Sequence, residues 1–135
     1  MGTDAHRPLY RGMRQAEDGK PVVGPSARTL GVRPVDVPII DGVVRPETGG
    51  MSVARDDPVG LPDVRRPAEW GGTGRDPVWQ IQQGELGAAL SYRDDPLSGH
   101  SLHGLIEPNA SMTIEEYTRA LELTREQWHI VHPEQ

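Results

Sequence analysis

Four polar side chains in this sequence have the types and neighbours needed for chemistry. In Leu9-Tyr10-Arg11-Gly12, an arginine on a short extended segment sits between an aromatic ring and a glycine. It can pin a phosphate or a ribose by paired hydrogen bonds, or simply cover an edge strand. Ser52 follows the pair Gly49-Gly50 in Val43–Ala54, VVRPETGGMSVA. Its hydroxyl both donates and accepts, so it can orient a carboxamide or a ribose hydroxyl at the end of a strand, or cap a turn. Adjacent glycines accept positive φ and let a second backbone or a ligand come close. His103 and Glu107 are four residues apart on an extended segment, an even separation that puts both on one face as a candidate polar pair in a cleft.

Other chemistries find less support. Nothing resembles a G-x-S-x-G elbow, so Ser52 has no nucleophile setting. Gly71–Trp79, GGTGRDPVW, is glycine-rich but lacks the Gly-Lys-Ser/Thr and the following helix of a phosphate loop. It reads as a mobile loop over a site, with Arg75 and Asp76 pairing. The chain has five histidines and no cysteine. His100 and His103, three apart on a strand, fall on opposite faces and make poor joint ligands, so no metal is expected.

The totals limit the partners. The net charge is −6, which disfavours general nucleic-acid binding. Thirteen of the 14 basic residues are arginine, which fits planar recognition of phosphate or carboxylate and also follows from GC-rich coding. The first 20 residues do not read as a signal peptide, and no apolar run approaches a membrane span. A cytoplasmic chain is expected, with delivery into target cells by a route that reads no cleavable signal.

These side chains need elements to hold them. Residues 1–7 read as a flexible tail and 8–132 as one loop-rich α+β domain of short strands. Strands are expected at Pro8–Met13 (Leu9 and Met13 alternating in face with Arg11), Val35–Ile40, Val43–Val44, Met51–Ala54, Val78–Gln83 and His100–Pro108. Asp41-Gly42 is a tight-turn signal. Arg55–Pro77 is irregular and long enough to be either functional or disordered. Thr113-Ile114-Glu115-Glu116 is a capping box, and Tyr117, Leu121, Thr124 and Trp128 follow on one helical face.

The order of these blocks resembles the toxin domain of a type VI secretion effector family with an ADP-ribosyltransferase-like fold. The matching residues are Leu9-Tyr10-Arg11, Glu47-Thr48-Gly49-Gly50-Met51-Ser52-Val53, Val78 to Ile81, and His103 to Pro108 with Met112, so the likeness covers roughly residues 8–130. It implies a split, mostly antiparallel β-sandwich with a cleft for NAD and cleavage of the nicotinamide–ribose bond. By resemblance, Arg11 holds the dinucleotide with Tyr10 beside it, Gly49 and Gly50 shape the cleft mouth, and Ser52 supports the nicotinamide ribose. His103 or Glu107 assists departure of nicotinamide. Met51 stands where relatives have threonine, removing a hydroxyl from the expected site. The Glu-x-Glu signature of many such enzymes is missing, because Glu115-Glu116 are adjacent and belong to the capping box.

The resemblance thus implies an NAD-dependent ADP-ribosyltransferase toxin acting on an intracellular target and restrained by an immunity or antitoxin partner. The rival readings are an inactive binding module of the same fold, with Arg55–Pro77 as its contact surface, and an immunity protein, harmless when expressed alone.

Overall fold

The structure is a computed structural model that describes residues 3–96 and 100–133. Among these residues the elements are β1 (Pro8–Gly12), β2 (Val43–Val44), β3 (Met51–Arg55), β4 (Val78–Gln82), β5 (Leu90–Asp94), β6 (His103–Pro108), β7 (Met112–Thr113), α1 (Ile114–Glu122) and β8 (His129–Val131). Six strands form one antiparallel sheet in the order β5-β6-β3-β1-β4-β8, and β2 pairs with β7 in a separate ribbon. The architecture is the α+β, antiparallel, short-stranded one expected.

The alternation of each strand sorts the sheet into two faces. Leu9, Met51, Val53, Trp79, Ile81 and Ile106 lie together in the main core. Tyr117 and Leu121 of α1 and Trp128 beyond it join the same core. In a chain without Phe, the two fully buried tryptophans supply much of the volume. Each indole N–H is satisfied: Trp79 donates to the Met13 carbonyl at 2.8 Å and Trp128 to the Thr124 hydroxyl at 3.0 Å. The other face carries a smaller cluster of Ala54, Leu61 and Val78, with Tyr10, Trp70 and Val131 against it.

Several expectations are corrected. Leu9, Arg11 and Met13 do not alternate in face; they are spaced by two and all are buried. Val35–Ile40 is not a strand: Pro34–Asp36 form a 3-10 turn, and Ile40 only bridges Val43. The Asp41-Gly42 turn does form, both residues at positive φ (54° and 76°), with Ile40 and Val43 exchanging two 3.0 Å hydrogen bonds. The capping box also forms, with Thr113 accepting from the Glu116 amide and Glu116 from the Thr113 amide. The helix stops at Glu122, however, so Thr124 and Trp128 lie beyond it. They lead through a 3-10 turn, Arg125–Gln127, into β8.

The start of the expected tail, Met1 and Gly2, lies outside the described residues. The rest of it includes a 3-10 turn, Thr3–His6, and the Arg7 carbonyl accepts from the Gln83 amide at 2.9 Å. The Arg7 guanidinium lies 5.8 Å from the centre of the Tyr92 ring. Arg55–Pro77 is built from three 3-10 turns, Pro58–Gly60, Asp63–Arg65 and Ala68–Trp70. Buried Arg66 ties them by donating to the Leu61 carbonyl at 3.0 Å. Asp76 pairs not with Arg75 but with Arg28, whose fork meets both carboxylate oxygens at 2.6 and 2.8 Å.

Candidate active site

The site follows from where two neighbouring strands stop pairing. β1 pairs with β4 along its whole length, yet with β3 only at Leu9↔Arg55 and Tyr10↔Ala54. Beyond Tyr10 the strands part, and a cleft of about 180 Å³ opens between Arg11-Gly12 and Ser52-Val53. The turns at Gly60–Pro62 and Arg65 border it on one side, with Arg33 and Asp36 on another. His100 and His103 complete the wall. Asp36, Ser52 and His103 also border an adjoining, more open groove of about 540 Å³, which runs past Glu47–Gly50 and Arg93.

Arg11 fills the split. Its Nη1 donates to the Ser52 carbonyl at 2.7 Å, and its Nε donates to the Thr29 carbonyl at 3.1 Å. Its Nη2 is shared among the carbonyls of Thr29 (2.9 Å), Ser26 (3.2 Å) and Gly31 (3.3 Å). Of five N–H donors, only one Nη1 hydrogen is left for a ligand. The paired grip on a phosphate expected of Arg11 is therefore replaced by a grip on the protein's own backbone. Burial, at 5% exposure, pulls its pKa down to about 10. Tyr10 is not beside it. One residue away on β1, its ring turns to the opposite face, into the cluster with Ala54, Leu61 and Val78.

Ser52 and His103 do meet. They lie diagonally across the β3–β6 ladder, where Ser52 pairs with Leu105 and Ala54 with His103. His103 Nε2 is 3.2 Å from the Ser52 hydroxyl, and its Nδ1 is 2.8 Å from the Asp95 carbonyl. The Asp95 carboxylate is 3.3 Å from the same Nδ1. Glu107 shares the face with His103 but not the contact, since four strand residues span about 13 Å. It is 4% exposed, paired to Arg93 at 3.0 Å, and accepts the Glu47 amide at 2.9 Å. It borders neither cavity and ties the glycine loop to β6; the expected His103–Glu107 pair is a His103–Asp95 pair instead.

Gly49 and Gly50 border the open groove, but their immediate reason is close packing. Gly49 has φ 155°, and a Cβ there would strike the Asp36 carbonyl; one on Gly50 would strike the Ile106 backbone. Met51, expected to cost the site a hydroxyl, is 1% exposed and faces the core. Its amide donates at 3.1 Å to the Tyr117 hydroxyl, which itself donates to the Ile106 carbonyl at 2.5 Å. Residue 51 is therefore a core position, and residue 52 is the cleft position.

The cleft is cationic within an acidic protein. Arg33 is held bidentately by Asp36 at 2.9 and 3.1 Å. Burial acts to raise the Asp36 carboxyl, but hydrogen bonds from Arg33 outweigh it and hold the group below the usual carboxylate value. Arg65 is half-buried, and among the described residues its guanidinium has no hydrogen bond or ion pair. His100 precedes β6 instead of lying on it, so strand parity does not separate it from His103, and both line the cleft. No group of three or more His, Cys, Asp or Glu side chains able to hold a metal occurs among the described residues.

Sequence reasoning missed Asp95, Arg65 and the Arg33–Asp36 pair. Asp95 had a readable signal. Leu90 and Tyr92 alternate with Ser91 and Arg93, marking a strand that leads straight to Asp95. A sequence model of the family described as Tse2 ADP-ribosyltransferase toxin matches residues 8–128. No curated protein and no solved structure matches the chain.

Proposed function

This chain belongs to the Tse2 ADP-ribosyltransferase toxin family, and we propose that it uses NAD as the donor, transferring ADP-ribose to an acceptor inside a target cell. The observation that carries the reading is the Ser52–His103 contact in the wall of a cleft formed by the parting of β1 and β3. A dry cavity of about 150 Å³ takes a benzene ring, so the 180 Å³ cleft suits a ring the size of nicotinamide. The open groove next to it offers room for the adenosine end of a dinucleotide. Among the described residues lining the cleft, Arg65 is the cation left to meet the pyrophosphate at its mouth, because Arg33 is already neutralised by Asp36.

The reaction breaks the bond between the nicotinamide nitrogen and ribose C1′. The electron pair leaves with the ring, which loses its positive charge as charge develops on the ribose. Ser52 is placed to hydrogen-bond a ribose hydroxyl or the carboxamide, and the polar wall around it stabilises that charge. Such a toxin acts in the cytoplasm of the target cell and is restrained by an immunity partner in the producing cell.

The test combines NAD titration with growth arrest on expression, for the wild type, Ser52→Ala and Arg65→Ala, each checked for folding by circular dichroism. Loss of one charge-assisted hydrogen bond should weaken NAD binding by Arg65→Ala roughly 10- to 100-fold. Ser52→Ala should abolish growth arrest. Equal toxicity in all three removes the assignment, and a wild type harmless on its own favours an inactive binding module or an immunity protein.

A further inference from the structure

The contacts of His103 fix more than its position. A backbone carbonyl can only accept a hydrogen bond, so the 2.8 Å contact from Nδ1 to the Asp95 carbonyl requires the proton on Nδ1. In the neutral ring, Nε2 then carries the lone pair and accepts from the Ser52 hydroxyl. The Asp95 carboxylate, 3.3 Å from the same Nδ1, is placed to stabilise the ring once Nε2 takes a second proton. One residue thus supplies two functions: its main chain selects the tautomer, and its side chain balances the charge of the protonated ring.

We propose that Asp95 is the positioning residue that makes His103 the base for an oxygen acceptor, a hydroxyl group or water. This rests on the reading of the cleft as an NAD site. As the nicotinamide leaves with its electron pair, the acceptor oxygen bonds to C1′ and its proton passes to His103 Nε2, then to solvent. The cleft also discriminates between acceptor classes. Arg65, the unmatched cation on its wall among the described residues, repels a guanidinium or ammonium acceptor. Among the described residues, the carboxylate bordering the cleft, Asp36, is already held by Arg33. A neutral hydroxyl meets neither obstacle.

Two measurements test this. Nitrogen NMR of the His103 ring in the free protein reads the tautomer without any turnover, and should show the proton on Nδ1 in the wild type and in Asp95→Asn, which keeps the carbonyl. NAD consumption is then followed with methanol and with agmatine as probe acceptors. The wild type should form the methyl glycoside of ADP-ribose, or free ADP-ribose from water, and no agmatine adduct. Asp95→Asn should lower kcat roughly 10- to 100-fold, as loss of a supporting partner does elsewhere, with KM for NAD unchanged. His103→Gln should lose roughly 100-fold or more.

A proton on Nε2, an unchanged kcat in Asp95→Asn, or agmatine as the better acceptor each overturns the proposal. If the wild type consumes no NAD with any acceptor, the donor reading and the base role both fall. In that case the NMR tautomer still decides whether Asp95 positions His103.

Discussion

Replacing Arg11 by alanine should damage the fold before it damages ligand binding. Four backbone carbonyls, those of Ser26, Thr29, Gly31 and Ser52, take hydrogen bonds from this one guanidinium at 2.7 to 3.3 Å. Hydrogen bonds to a charged group contribute about 1.5–3 kcal/mol each, roughly 6–12 kcal/mol for four. Burial of the charge offsets part of this: a pKa pulled down to about 10 corresponds to about 3 kcal/mol against the charged form. Water entering from the cleft can hydrate some of the orphaned carbonyls, so a net loss of about 3–5 kcal/mol is expected. With a urea m-value of about 1–3 kcal/mol/M, the midpoint should fall by about 2 M. The assay is urea unfolding in a His103→Ala background, which avoids toxicity during expression. Arg65→Ala is the control and should stay within about 0.5 kcal/mol of its parent. Arg11→Lys should recover less than half the loss, because one ammonium cannot reach four diverging carbonyls. If Arg11→Ala keeps the parent's midpoint and loses only NAD binding, Arg11 is a ligand residue and the structural reading is wrong.

Two further outcomes are expected. Thr113→Ala removes the hydroxyl that accepts the Glu116 amide at 3.0 Å and should cost about 1 kcal/mol, read as a lower thermal midpoint with an unchanged sheet signal. The Asp36 carboxyl titrates below its unfolded value, so its stabilising contribution is complete above about pH 4 and disappears as pH falls through the folded pKa. Because Arg33 is half-exposed, the Asp36→Asn penalty should be under about 1 kcal/mol at pH 7. The penalty should shrink as pH falls below about 4, and one that grows on acidification would contradict the assigned direction.

The parts of the fold legible in the sequence were those written in local chemistry. The Asp41-Gly42 turn, the Thr113–Glu116 capping box and the alternation of Val78–Gln83 each carry their signal within six residues, and each formed, the strand giving up only Gln83 to a 3-10 turn. What failed was anything decided by tertiary pairing. β8 is three residues long and exists because β4 offers it an edge; α1 ends early because Trp128 is drawn into the core by that same pairing. In the site, residue types and side-chain parity were readable for Ser52 and His103. The partners were not. An even spacing of His103 and Glu107 suggested a pair, but on a strand it separates them, while Asp95 comes close only through the β5–β6 hairpin. The fate of Arg11 was equally hidden, because its four acceptors lie in a loop and a strand whose approach no local pattern announces.

The acidic composition and the cationic cleft are compatible because the two charges live at different depths. Ionic strength of 0.15 M screens exposed charges beyond about 8 Å, so surface carboxylates reach weakly into a recess. Inside it the low-dielectric walls preserve the field of whatever cation is not already matched. Arg33 is matched by Asp36, and Arg11 is spent on carbonyl dipoles, which leaves Arg65 as the charge felt by an entering anion. Arg65 sits on the turn Asp63–Arg65, whose backbone is pressed against Gly12, where a Cβ would strike the Arg65 carbonyl. The same glycine that ends β1 at the split thus lets the irregular segment come close enough to put its arginine in the cleft. A long loop is usually a liability in so small a core. Here its length is what carries a cation across the face of the sheet to the place where two strands have parted.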